Sequence, residues 1–185
     1  MQLGHPHLRL QAKPIVNVHD PDIQQLIGDL LQFVEEVGGM GIAAPQIDVS
    51  LQLFIMASKP NARYPQAPVM PQTVVINPEI IASTTEQDIG WEGWLIVPVI
   101  RWLVPRATHI KVRYLTCDGE TIERDYDGFI ARIFQHELDH LQGTLFTDRV
   151  ENNIDLMAEQ EWQRMLSADS HTQVEDWVNI SPTLK

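Results

Sequence analysis

His136-Glu137-Leu138-Asp139-His140 gathers more chemically useful side chains than any other short stretch of the chain. On a helix, residues four apart share a face, so both imidazoles can converge on one cation. Glu137 lies about 100° round the helix from His136, within reach of a water on that cation. A divalent ion lowers the pKa of such a water to about 7, and the carboxylate can take its proton as general base. The plain alternative is an amphipathic helix end that holds histidines by chance. Two His bracketing a Glu, flanked by Ile133, Phe134 and Leu141, count against it. Two ligands do not complete a site, because a catalytic cation usually takes three and keeps one position open. One zinc-protease pattern adds a His six residues past the second, where this chain has Phe146. Another takes a Glu from a later helix, for which Glu159 and Glu161 are candidates. Taken alone, the motif fits several metal-assisted hydrolases.

The elements that must position this motif are readable in outline. Ile23, Leu26, Ile27, Leu30, Leu31 and Val34 recur at helical spacing between Pro21 and Val37. Asp20 is placed to cap that helix, Pro21 suits its first turn, and Gly38-Gly39 ends it. Strands are expected over Leu51 to Met56, Val74 to Ile76 and Glu79 to Ala82, with a Pro-rich loop from Lys59 to Pro71 between them. Ile110 to Tyr114 and Thr121 to Tyr126 flank Cys117-Asp118-Gly119-Glu120, a hairpin signal because Asp-Gly suits a tight turn. The His-Glu-x-x-His helix is expected from about Asp127 to Gln142, with Gly143 as its stop. A third helix is expected over Asn153 to Leu166, with Ile154, Met157 and Met165 as its apolar stripe. Helices and antiparallel hairpins in mixed order predict an α+β domain over residues 1–166. A polar tail, residues 167–185, is expected to be partly disordered.

Composition narrows the function classes. With 185 residues, 44% of them apolar, the chain can bury one sizeable core. A formal charge of -12, from 25 acidic and 13 basic side chains, repels phosphate backbones, so nucleic-acid binding is not expected. Cys117 is the only cysteine, which excludes an intrachain disulfide. No signal-peptide pattern and no apolar run of membrane-span length is present, so a cytoplasmic protein is expected.

Two further segments carry a family resemblance. Gly39-Met40-Gly41-Ile42-Ala43-Ala44-Pro45-Gln46 resembles the Gly-x-Gly-x-Ala-x-x-Gln motif of peptide deformylases. Glu92-Gly93-Trp94-Leu95 resembles their Glu-Gly-Cys-Leu motif, and Gln135 to Leu141 matches their metal-binding helix. Gly4 to Arg9, Val104-Pro105-Arg106 and Gly143 to Phe146 extend the similarity, which covers most of the chain from Gly4 to Arg149. The resemblance implies antiparallel hairpins and small sheets around a central His-Glu-x-x-His helix, with N- and C-terminal helices. It implies hydrolysis of the formyl group from the N-formyl-methionyl end of nascent peptides. His136 and His140 would hold one divalent ion, Fe2+ in the family with Zn2+, Ni2+ or Co2+ accepted. Glu137 would be general base and then proton donor. Gln46 and the backbone N–H of Leu95 would face the oxyanion, with Gly41 allowing close backbone approach. Met40, Ile42, Phe129, Ile133 and Arg101 are candidates for the substrate pocket.

One departure stands out. The family's third ligand is the Cys of its Glu-Gly-Cys motif, and this chain has Trp94 there. An indole offers an N–H donor and no lone pair, where a thiolate is a strong anionic ligand. Ile96 replaces the family's Ser, and Val99 stands where Gly is common. Cys117, on the hairpin turn, is a poor substitute, and Glu92 is expected to brace its loop against Arg106. Three readings follow: a deformylase impaired by loss of this ligand, an inactive homologue that keeps the fold and binds peptides, and another hydrolase that uses a downstream Glu.

The C-terminal segment generates a prediction. Beyond Val150 it carries Glu151, Asp155, Glu159, Glu161, Asp169, Glu175 and Asp176 against Arg164 and Lys185. A basic extension docks some bacterial deformylases on the ribosome, and an acidic one should not reproduce that contact. The expected outcome is no salt-sensitive co-sedimentation with ribosomes; its appearance, and its loss on deleting this segment, would contradict the reading.

Overall fold

Asp20 opens the first helix as its position requires. Its carboxylate accepts a hydrogen bond from the Asp22 N–H at 3.0 Å, and Pro21 takes the first helical position. Helix α1 (Pro21–Val37) then ends at Gly38, whose φ of 59° lies in the left-handed region that glycine enters freely. The computed structural model describes residues 4–61, 63–94, 97–150, 154 and 156–168.

The centre of the fold is a sheet covered on both faces. Its strands are β1 (Gly41–Ala43), β2 (Leu53–Ser58), β3 (Met70–Ser83), β6 (His109–Leu115) and β7 (Thr121–Asp127), in the order β1-β2-β3-β6-β7 and antiparallel throughout. Strand β2 shows why its sequence is apolar without alternation. Leu53 and Ile55 pack with Ile27, Leu30 and Val34 of α1. Phe54 and Met56 face the opposite way, toward Ala131, Phe134 and Leu138 of α2 (Gly128–Leu141). The metal-motif helix therefore packs on the face of this sheet opposite α1, clamped by its apolar side.

A second antiparallel sheet, β4-β5-β8, comprises β4 (Gln87–Trp94), β5 (Val97–Ala107) and β8 (Leu156–Ala158), the last followed directly by α3 (Glu159–Ala168). The α+β expectation holds, with helices near both ends and antiparallel sheets around the His-Glu-x-x-His helix. Among the described residues, no helix is long and apolar enough to cross a membrane.

Three element boundaries differ from expectation. Val74 to Ile76 and Glu79 to Ala82 belong to one strand, β3, whose pairing with β6 shifts register between Ile76 and Glu79. Asn77, at φ 49°, makes that irregularity, and its side-chain amide exchanges two 2.8 Å bonds with the backbone of Ile15. Strand β3 also begins at Met70, inside the expected loop. The third helix starts at Glu159, not Asn153, because Leu156 to Ala158 pair with Trp102, Arg101 and Ile100 of β5. An open strand edge outcompetes helix formation for those backbone groups. Met157 is consequently a strand residue and Ile154 is exposed, while the buried anchor of α3 is Trp162. Residues 169–185 of the expected tail lie outside the described residues.

Phe134 is fully buried, edge-on to Phe54 at a centroid distance of 5.2 Å and 5.9 Å from Tyr126. Phe134→Ala should destabilise the protein by about 3–5 kcal/mol, measured by denaturant unfolding. A loss below about 1 kcal/mol would mean that α2 is not packed as described.

Candidate active site

Three segments that are far apart in sequence meet at one cavity of about 380 Å³. Strand β1 and its approach contribute Gly39, Met40 and Gly41, with Gln46 from the short 3-10 turn Ala44–Ile47. Strand β4 contributes Trp91, Glu92 and Gly93, and α2 contributes Phe129, Arg132, Ile133, His136 and Glu137. Gly41 is where the first and last of these segments touch. A Cβ built there would lie 2.7 Å from the carboxyl carbon of Glu137, so any other residue would displace the acid.

The imidazoles of His136 and His140 are 5.3 Å apart between ring centroids, edge to face. Glu92 orients the first of them: its Oε2 lies 2.7 Å from His136 Nδ1. With Nδ1–H donating to that carboxylate, the lone pair of the neutral ring is left on Nε2. Glu92 is itself held by Arg106, through two bonds of 2.9 Å, and by Arg132 at 2.9 Å. Burial alone would raise the Glu92 carboxyl, but the hydrogen bonds from Arg106 and His136 outweigh it and hold the group well below the usual carboxylate range. Arg106 continues to Asp139 at 2.6 Å, and Asp139 to Arg149 at 2.6 Å.

Glu137 is the opposite case. It is buried, its Oε2 has no hydrogen-bond partner among the described residues, and desolvation pushes its pKa up to about 7. Burial, with the nearby His136 and Arg106, holds His140 neutral by pushing its pKa well below the ordinary value. Gln46 is buried, and its Oε1 accepts a 2.8 Å bond from the Ala43 N–H, which orients the amide.

Not every expected site residue is here. Ile42 is buried in the α1 core and does not line the cavity, because alternation along β1 turns it to the other face from Gly41. Arg101 lines the cavity but is bound to Glu159, to the Tyr64 hydroxyl at 2.9 Å, and lies 4.3 Å over the Trp162 ring. The downstream-Glu ligand reading is corrected on the same ground: Glu159 is committed to Arg101, and Glu161 is exposed and paired with Arg164 at 2.7 Å. Cys117 packs against the α1 core, away from the cavity lining. The backbone of Trp94 ends β4 opposite Val97, while its side chain and all of Leu95 lie outside the described residues. Arg132 and Tyr64 were missed from sequence. An arginine inside the otherwise apolar run Ala131 to Phe134 was the available signal, since a buried guanidinium demands an acid.

A buried helix that turns His136 and the Glu137 carboxyl toward a cavity between two sheets, with His140 buried behind them one turn on, defines a hydrolase-type site. The chain belongs to the polypeptide deformylase family, whose model matches residues 1–155. It is 49% identical to peptide deformylase 2 of Nostoc sp., over 92% of this chain and 95% of that one. It is 43% identical to peptide deformylase 1 of Bordetella pertussis, over 81% and 85% of the two. A Met-Ala-Ser-bound class I type b peptide deformylase from Acinetobacter baumannii superposes with a TM-score of 0.78 at 44% identity, over 80% of this chain and 95% of that one.

Members of this family are metal-dependent, and the residues present fit a divalent ion in part. Two imidazoles, one oriented by Glu92, suit such an ion, and the unpartnered Glu137 oxygen suits a proton acceptor beside it. No cluster of three ligating side chains occurs among the described residues. The family resemblance expects a third, thiolate ligand at position 94, where this chain has tryptophan.

Glu137 yields a pH signature in metal-free protein. Its folded pKa of about 7 exceeds the ordinary 4.5, so the folded state keeps a proton that the unfolded chain releases. Stability from this group is therefore full below about pH 4.5 and falls as pH rises to about 7. Glu137→Gln removes that slope and should gain up to about 3 kcal/mol over wild type at pH 8, with no gain at pH 4.5. Parallel unfolding curves for the two proteins across this range would contradict the burial argument.

Proposed function

We propose that this protein hydrolyses the formyl group from N-formyl-methionyl peptides, at a rate lowered by replacement of the thiolate ligand. The observation that carries the reading is the convergence of Gly41, Gln46, Glu92, His136 and Glu137 on one cavity. The edges of the cavity support a peptide in extended form. Strand β1 is the terminal strand of one sheet and β4 of the other, and both line the cavity. Edge strands offer unpaired backbone groups, to which an extended chain can add by strand pairing. Met40, Phe129 and Ile133 supply an apolar lining for the methionine side chain.

The chemistry assigned to the residues is the following. A divalent ion, Fe2+ in the family, would be held by His136 and His140 and would polarise the formyl carbonyl and acidify water. Glu137 takes the proton of the attacking water at its unpartnered oxygen and returns it to the amine as the C–N bond breaks. A carboxyl with a pKa of about 7 suits both halves of that transfer near neutral pH. The Gln46 amide and the Leu95 N–H donate to the oxygen that gains charge. Glu92, fixed by Arg106 and Arg132, keeps the His136 ring turned. Formate and a free methionyl amine are the products.

Trp94 is the specific observation that favours the second reading, a homologue that binds peptides without turnover. The two are separated by assaying formate release from formyl-Met-Ala-Ser, with bound metal measured, for wild type, Trp94→Cys, Glu137→Gln and the double variant. Wild type should turn over slowly with less than one equivalent of metal. Trp94→Cys should raise both metal and rate, and adding Glu137→Gln should retain the metal while cutting the rate by about 10² or more. Peptide binding without formate release from either wild type or metal-loaded Trp94→Cys would leave the second reading standing. Wild type that already holds a full equivalent and matches Trp94→Cys in rate would disprove the assigned effect of Trp94.

A further inference from the structure

The C-terminal helix is part of the cavity wall, since Glu159 and Gln163 line it together with Arg101, Tyr64 and Arg63. Strand β8 pairs with β5 through Arg101↔Met157 and brings α3 to this place. Arg101 then fastens three segments. Its guanidinium donates through Nε and one terminal nitrogen to the Glu159 carboxylate, through the other to the Tyr64 hydroxyl at 2.9 Å, and stacks 4.3 Å over Trp162. Trp162 and Arg101 are 2% and 4% exposed, so this is a closed contact and not a surface ion pair. Tyr64 also meets Phe129 at 5.1 Å between centroids, which makes the fastened wall continuous with the apolar pocket.

A methionine seated on Phe129 and Ile133, with its amide at Glu137, sends its following residues past the remaining lining of the cavity. We propose that β8 and α3 form the wall met by those residues, and that Glu159 controls charge selectivity there by neutralising Arg101. The inference rests on the peptide-binding reading above. Its physical content is a masked charge. While Glu159 holds Arg101 in a bidentate pair, the wall is neutral at this point and discriminates little between acidic and basic residues downstream of methionine. Removing the carboxylate and keeping the shape leaves a nearly buried guanidinium that needs an anion. Arg63, exposed at the same cavity, keeps its charge in either case, so a comparison of variants isolates Glu159.

The test uses the full chain and two product-type probes, Met-Ala-Asp-amide and Met-Ala-Lys-amide, with dissociation constants measured calorimetrically. Glu159→Gln should shift the ratio of the two affinities toward the acidic peptide by about tenfold, the size of one charge-assisted bond. Trp162→Phe, which keeps a ring over Arg101, should leave the ratio as in wild type, as should Glu161→Gln on the exposed face of α3. Circular dichroism and thermal unfolding establish that each variant is folded; if Glu159→Gln is not, Glu159→Ala is used, with the same expectation. Binding of both probes with an unchanged ratio in the folded Glu159 variant overturns the wall and leaves the functional reading intact. Absence of binding of either probe to wild type overturns that reading and this inference with it.

Discussion

Glu92 sits on an edge strand with its carboxylate removed from water, and it is met there by Arg106, Arg132 and the Nδ1 of His136. A carboxylate so buried is unfavourable by several kcal/mol until every lone pair is matched, and removing one partner typically costs about 3–5 kcal/mol. The arrangement is therefore close to all-or-none. It binds β4 to β5 through Arg106 and both strands to α2 through Arg132 and His136. The small sheet is held further by the Gln135 side chain, which exchanges two bonds with the Ala107 backbone, and by Val104 packed on Leu8 and Leu145. Without this knot the cavity would lose one wall, and His136 would lose the bond that turns its ring.

The same knot bears on the replaced ligand. Glu92, Asp139 and Asp88 together meet Arg106, Arg132 and Arg149, so three negative groups balance three positive ones beside the two imidazoles. A dication that His136 and His140 would hold therefore meets a surrounding field close to balance, to which an indole at position 94 adds no charge. Glu137 adds no negative charge to that balance below about pH 7, because burial holds its proton on.

Much of the site was legible because close spacing encodes it. His136, Glu137 and His140 lie on one turn of helix, and Gly39 to Gln46 on one strand and turn. Helix α1 was equally plain, since its cap, its apolar period and its glycine stop agree. Strands β4 and β5 were not. Gln87 to Ala107 holds Trp91, Trp94, Trp102, Pro98 and Pro105, and neither alternation nor a turn pair marks where one strand ends. Ile42 was misassigned because proximity to Gly41 in sequence suggested the same face, while a strand turns neighbours apart. Glu159 looked like a free ligand because nothing local shows that Arg101, 58 residues away, already holds it.

That separation has a consequence for how the molecule assembles. Hairpins such as β6–β7 close over short loops, and their pairing can begin as soon as both strands exist. The contacts that make the cavity span far more chain: Glu92 to His136 covers 44 residues, and Arg101 to Glu159 covers 58. Their closure entropy must be met before any local reward, so they belong to the last stages of folding. During synthesis the central sheet can order while α2 is still inside the ribosome, and only after His140 has emerged can the two imidazoles and Glu92 come together. Strand pairing can thus precede the chemistry, which waits for the same helix that closes the core over Phe54 and Met56.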